Sequence, residues 1–274
     1  MFKALAPKLV YLEIAGDLIE LKILAVTKWP RLRSLRLVDH VPHGDIIPLP
    51  EVVFNMPLLS TLAYEFNIGC DHRTPSVFYR EIDQTPSAMR LCDILPELKR
   101  LSVSSIWYGA RLEAQLPRSL EAVCVGAPCA RLSFPHGRTA WRYHYTALSE
   151  PDALCWIEAA AKLPYLTELA LHLVEAPSPD MLAAIARACP SLRTLELEQV
   201  RYDYNLHTSP YPIESFARPL MTLSHLRVLR ITLELGSHNR PSFHNVKQEF
   251  ISGIDERIQE AAQLLAERIS AWNV

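Results

Sequence analysis

Glycine is scarce in this chain, with 8 residues in 274. None falls in a G-x-G-x-x-G or G-x-x-x-x-G-K-[ST] spacing, so no loop is built to let the backbone close on a phosphate. Long apolar runs are missing too: none approaches the roughly 18 residues that span a bilayer. Neither sign of charge dominates, since 28 basic and 30 acidic side chains leave a formal net charge of -2 and a pI near 6.6. A phosphate backbone or an anionic membrane surface selects a positive footprint that this balance lacks. Neither nucleic acid nor membrane is therefore an expected partner. Paired cysteine spacing is absent as well. Cys70, Cys92, Cys124, Cys129, Cys155 and Cys189 are scattered, which argues against a disulfide framework or a zinc set. They read as small core apolar groups in a reducing, intracellular compartment, cytoplasmic or nuclear. Residues 1–16, interrupted by Lys8 and Glu13, read as a strand rather than a signal peptide.

What the chain has in quantity is proline, 21 residues, much of it in one repeated place. The pattern Pro-x-Leu-x-x-Leu-x-apolar occurs six times. It runs Pro7, Leu9, Leu12, Ile14; Pro30, Leu32, Leu35, Leu37; and Pro57, Leu59, Leu62, Tyr64. It returns as Pro96, Leu98, Leu101, Val103; Pro164, Leu166, Leu169, Leu171; and Pro190, Leu192, Leu195, Leu197. Two looser copies are Leu120, Val123, Val125, with Pro117 one place early, and Leu226, Leu229, Ile231, with Ser224 in place of proline. The first leucines are spaced by 23, 27, 39, 22, 46, 26 and 34 residues. Several intervals fall in the range of about 20–29 residues typical of a strand-and-return repeat. The interval of 46 is twice 23 and predicts a degenerate copy midway, its strand at residues 139–145, where aromatic and polar residues alternate.

Apolar residues two apart share one face of a strand, and the first leucine fills the bend before it. Between the motifs, residues 17–28, 87–95, 152–162, 180–188 and 213–223 carry helical spacing. Several start at an Asp or Ser able to cap a helix, and most stop beside the next motif's proline. The expectation is an α/β solenoid with parallel strands on a concave face and helices on the convex one. Residues 1–245 would form about nine irregular repeats, and residues 246–274, with apolar residues at helical spacing, a C-terminal capping helix. Residues 67–85, 201–212 and 236–245 break the pattern and read as inserted loops.

The array resembles leucine-rich repeats of the ribonuclease-inhibitor-like class. One stretch, Asp180 through Ile185, Cys189-Pro190 and Leu197, is similar to the cysteine-containing repeats of F-box proteins. The Trp29-Pro30, Leu95-Pro96 and Leu163-Pro164 pairs and the irregular lengths are similar to fungal F-box arrays. That resemblance implies a region that captures a substrate protein for a cullin-based ubiquitin ligase, with a Skp-family adaptor bound only if an F-box lies upstream. Two features depart from the family pattern. The Asn or Cys that usually follows the strand is replaced, by His40 after Leu37 and by Val200 after Leu197, and no F-box is recognisable. Residues 49–54 are faintly like the start of one, but Pro57 opens a motif three residues later. The alternatives are a free-standing scaffold or inhibitor, or a truncated gene product beginning inside the array.

Strand alternation nominates the side chains that would meet a partner: Tyr11, Glu13, Arg36, Glu65, Arg100, Glu168, His172, Glu196, Glu198 and Arg230. Ser34, Thr61, Ser102 and Thr194 lie between them. Glu168, Glu196 and Glu198 form an acidic group suited to a basic segment. No catalytic, cofactor or metal site is expected. Cys70-Asp71-His72 is the one thiol beside an imidazole in sequence, and a nucleophile's base normally arrives from elsewhere in the fold.

Overall fold

A computed structural model of the chain describes residues 2–40, 47–67, 90–104, 112–126, 147–199 and 213–231, together with Gln263 and Glu267. In it the repeated proline makes a turn. The carbonyl before the proline accepts the N–H of the motif's first leucine: Trp29 from Leu32, Met56 from Leu59, Leu95 from Leu98, Leu163 from Leu166, and Cys189 from Leu192. Proline thus sits second in a four-residue turn, where its fixed φ suits the bend and its missing N–H is not called upon. The looser copies keep the turn with other residues. Pro117 stands first in the turn that ends at Leu120, and Ser224 takes the second place before Leu226. In the first copy Leu9 instead bonds to Leu5 at the end of a short helix, α1 (Phe2–Leu5).

Each turn delivers a strand: β1 (Tyr11–Ala15), β2 (Ser34–His40), β3 (Thr61–Asn67), β4 (Arg100–Val103), β5 (Ala122–Val125), β6 (Glu168–Leu173), β7 (Thr194–Gln199) and β8 (Val228–Ile231). These eight make one parallel sheet in chain order, each strand bonded to the next. The register follows the motif, so Leu12, Leu35, Leu62, Leu101, Val123, Leu169, Leu195 and Leu229 form one row. Each junction is also stapled just before the strand. Arg33 O accepts from both Ser60 and Thr61, and Thr167 O from both Arg193 and Thr194, with the same arrangement at the other rungs.

The returning segments form a second layer: α2 (Leu21–Val26), α3 (Leu49–Val53), α4 (Leu91–Ile94), a 3-10 turn (Leu112–Gln115), α5 (Glu150–Ala160), α6 (Pro179–Ala188) and α7 (Ile213–Met221). Here α2 packs on α3, α3 on α4, the 3-10 turn on α5, α5 on α6, and α6 on α7. Between the layers runs one core, in which Leu24, Leu35, Leu62, Leu171, Ile185, Leu197 and Phe216 are buried. Each such side chain contributes roughly 1.5–3 kcal/mol by leaving water. Trp29 is also buried, its ring N–H donating to Leu24 O at 3.1 Å and its backbone N–H to Asn55 O, which ties one unit to the next. At the ends of the sheet Leu9, Ile14, Leu226, Leu229 and Ile231 are only partly buried.

Several sequence expectations need adjustment. The strand expected in residues 1–16 occupies only Tyr11–Ala15. The helix expected at residues 17–28 is a 3-10 turn, Gly16–Leu18, followed by the shorter α2. The segment faintly like an F-box start is α3, the return of an ordinary rung, with Pro50 in the first turn where a proline needs no N–H. No rung separates β5 from β6, because they pair directly from Ala122↔Glu168 to Val125↔Leu171. The candidate strand at 139–145, the inserted loops apart from Asn67, and the capping helix apart from Gln263 and Glu267 lie outside the described residues. Where the usual Asn is missing after Leu37, the ladder simply continues, with Asp39 opposite Phe66 and His40 opposite Asn67. That supplies partners for backbone groups that an Asn side chain would otherwise satisfy.

Candidate binding face

Every second strand residue points away from the core, and the register sorts these outward side chains into rows. The first row is Tyr11, Ser34, Thr61, Arg100, Ala122, Glu168, Thr194 and Val228. The second is Glu13, Arg36, Ala63, Ser102, Cys124, Ala170, Glu196 and Arg230. Longer strands add a third row that includes Glu65, His172 and Glu198. All ten residues nominated from the sequence occupy these rows.

Their charges are largely spent on each other. Arg36 reaches Glu13 at 3.1 Å and Glu65 at 2.9 Å, and Glu65 also accepts from the Ser102 hydroxyl at 2.7 Å. The Tyr11 hydroxyl donates to Glu13, a bond that raises the phenol pKa. Arg100 on β4 pairs with Glu168 on β6, two strands away. Ala122 stands between them in register and leaves the guanidinium room to cross. Arg230 pairs with Glu196 at 3.0 Å. Half-exposed pairs like these stabilise by only about 0.2–1 kcal/mol each. Their main effect is to order long side chains over the sheet.

The acidic group read from the sequence is thus changed in character. Glu168 and Glu196 are held by arginines, and Glu198 faces His172. The register supplied those partners from strands as far as 68 residues away in sequence. A one-dimensional reading had no access to them.

His172 is the unusual member, because it lies on this outward side yet is only 2% exposed. Its Nε2 is 3.8 Å from the Cys124 sulfur and its Nδ1 is 3.3 Å from Glu198 Oε2, an ion-pair distance without hydrogen-bond geometry. A carboxylate only accepts, so the tautomer that suits Glu198 carries its proton on Nδ1 and leaves the Nε2 lone pair toward the thiol. Burial lowers the His172 pKa from its ordinary 6.5, against the pull of Glu198, Glu196 and Glu65. Burial likewise pushes the Cys124 thiol up to about 11, opposed by a hydrogen bond with Ser102. The β5–β6 register ends at Val125 opposite Leu171, and Gly126 follows directly. Its φ of 76° is open to glycine, and it has no side chain to compete for the space.

Cys124 was misassigned from the sequence as a core residue. The alternation Val123, Cys124, Val125 held the signal, because two buried valines force the residue between them outward. Cys124 is half-buried and Cys155 exposed, whereas Cys189 is buried as expected. Cys70-Asp71-His72 lies outside the described residues. Among the described residues no three His, Cys, Asp or Glu side chains are grouped to hold a metal ion, and no helix is long and apolar enough to cross a membrane.

No family model and no curated protein matches this chain. Among solved structures, it is similar to an internalin (inlF) from Listeria monocytogenes str. 4b F2365, over 84% of this chain and 68% of that one, at 11% identity and a TM-score of 0.29. A likeness that slight carries no argument. The architecture rests on the strand order and register given above.

Proposed function

We propose that this chain is a leucine-rich-repeat solenoid that binds a partner protein on the outward, concave face of its sheet and performs no catalysis of its own. The supporting observation is the face itself. Eight in-register rungs put the outer strands about 34 Å apart, and ion pairs flank a floor of short residues, Ala63, Ser102, Ala122 and Ala170. A surface ordered before binding loses little side-chain freedom when it meets a partner. The repeat array would cover residues 1–245, with residues 246–274 capping its last rung, in an intracellular setting.

Within that reading, the F-box-like helix and Cys189-Pro190 turn favour the substrate-recognition region of a ubiquitin ligase subunit. A Skp-family adaptor would bind only a gene product carrying an F-box ahead of this segment. The alternative is a free-standing scaffold or inhibitor.

The test is to reverse charge without breaking the pairs. In the variant Arg100→Glu, Glu168→Arg, Glu196→Arg, Arg230→Glu, both cross-strand pairs survive with their polarity inverted. Stability should change by less than about 1 kcal/mol, while a partner cross-linked to the wild-type protein should be lost. Tyr165→Ser, at an exposed site outside the strands, should retain it. Equal capture by wild type and charge-reversed variant would defeat the assignment of the face.

A further inference from the structure

We infer that Cys124, His172 and Glu198 form a thiol–imidazole–carboxylate relay, which makes Cys124 a site of covalent modification by small, soft carbon electrophiles. The three side chains come from three adjacent strands, β5, β6 and β7, and are held by backbone register rather than by a loop. Sulfur to Nε2 is 3.8 Å and Nδ1 to the carboxylate is 3.3 Å, the order of nucleophile, base and orienting acid. The surroundings favour a neutral base. Glu65 is bound to Arg36 and Glu196 to Arg230, so Glu198 is the near carboxylate left to steady the imidazole. Cys124 is half-buried, which restricts access to small reagents.

The step balances without a further reactant. As the sulfur–carbon bond forms, the carbon–leaving-group bond breaks and the leaving group departs with its electron pair. The thiol proton moves to Nε2, and the imidazolium formed is stabilised by Glu198. Burial disfavours a free thiolate at Cys124, so its reactivity must come from proton transfer to His172 rather than from standing ionisation.

That difference gives the test. The intact chain is treated with limiting iodoacetamide from pH 5 to 9, and alkylation of each cysteine is followed by peptide mass spectrometry. A thiol with no base beside it gains about tenfold per pH unit up to about pH 8.5, and exposed Cys155 is the internal comparison. Cys124 should instead reach a plateau near neutrality, outpace Cys155 below about pH 7, and fall only where His172 takes up its proton. His172→Gln should slow Cys124 by about a hundredfold at pH 7 and leave Cys155 unchanged. Glu198→Gln should slow it less and move the inflection. Reaction at buried Cys189 reports loss of the fold, and if His172→Gln shows it, Glu198→Gln decides. A Cys124 rate that climbs in parallel with Cys155, or that neither variant alters, overturns the inference.

Discussion

His172 shows how much one side chain's chemistry depends on its place in the register. Unfolded, it takes up a proton near its ordinary 6.5; folded, burial delays that uptake to lower pH. Below about 6.5 the unfolded chain therefore holds more protons, and stability falls as pH falls through that value, levelling off under the folded pKa. Urea unfolding at pH 7.5 and 5.5 should show a larger loss for wild type than for His172→Gln; equal losses would mean the imidazole carries no such penalty. In the sequence, the outward position of His172 was legible from alternation. Its burial was not, because that depends on Cys124 and Glu198, which are 48 and 26 positions away.

At the scale of elements, the helices differ in how firmly they begin. The Ser178 hydroxyl accepts the Met181 N–H at 3.1 Å and donates to Glu150, linking the starts of α6 and α5. The Ser149 hydroxyl lies 3.4 Å from the Asp152 N–H at the start of α5. Ser178→Ala should cost about 1 kcal/mol and Ser149→Ala less, an ordering that thermal unfolding can check. The spacing predicts starts at residues 152 and 180, just inside the two helices, whose caps Ser149 and Ser178 stand three and two residues earlier. Length was harder to read. Residues 17–28 have helical spacing, yet Gly16–Leu18 closes as a 3-10 turn and only Leu21–Val26 is α-helical. The chain there must return to the next strand within a 23-residue interval, which leaves room for about two turns.

For the whole molecule, strands in chain order mean that each rung shares its backbone ladder with its neighbours alone. Leu195 is fully buried in the common row between Leu169 and Leu229. Leu195→Ala should cost about 2–5 kcal/mol, and hydrogen exchange should quicken across β6 to β8 while β1 and β2 stay protected. Uniform quickening would show a core that yields as one unit. The repeated leucines made this row readable before any coordinates, whereas the ion pairs above it depend on which rungs adjoin. The expected rung at 139–145 had put β5 and β6 one strand too far apart.

That strand order also bears on how the chain is made. Every strand after the first pairs with one synthesised before it, so a rung emerging from the ribosome finds its partner already in place. Among the described strands the longest wait falls between Val125 and Glu168. There the growing edge of the sheet, β5, stands open until β6 arrives, and a chaperone acting during synthesis would find most to shield at that stage.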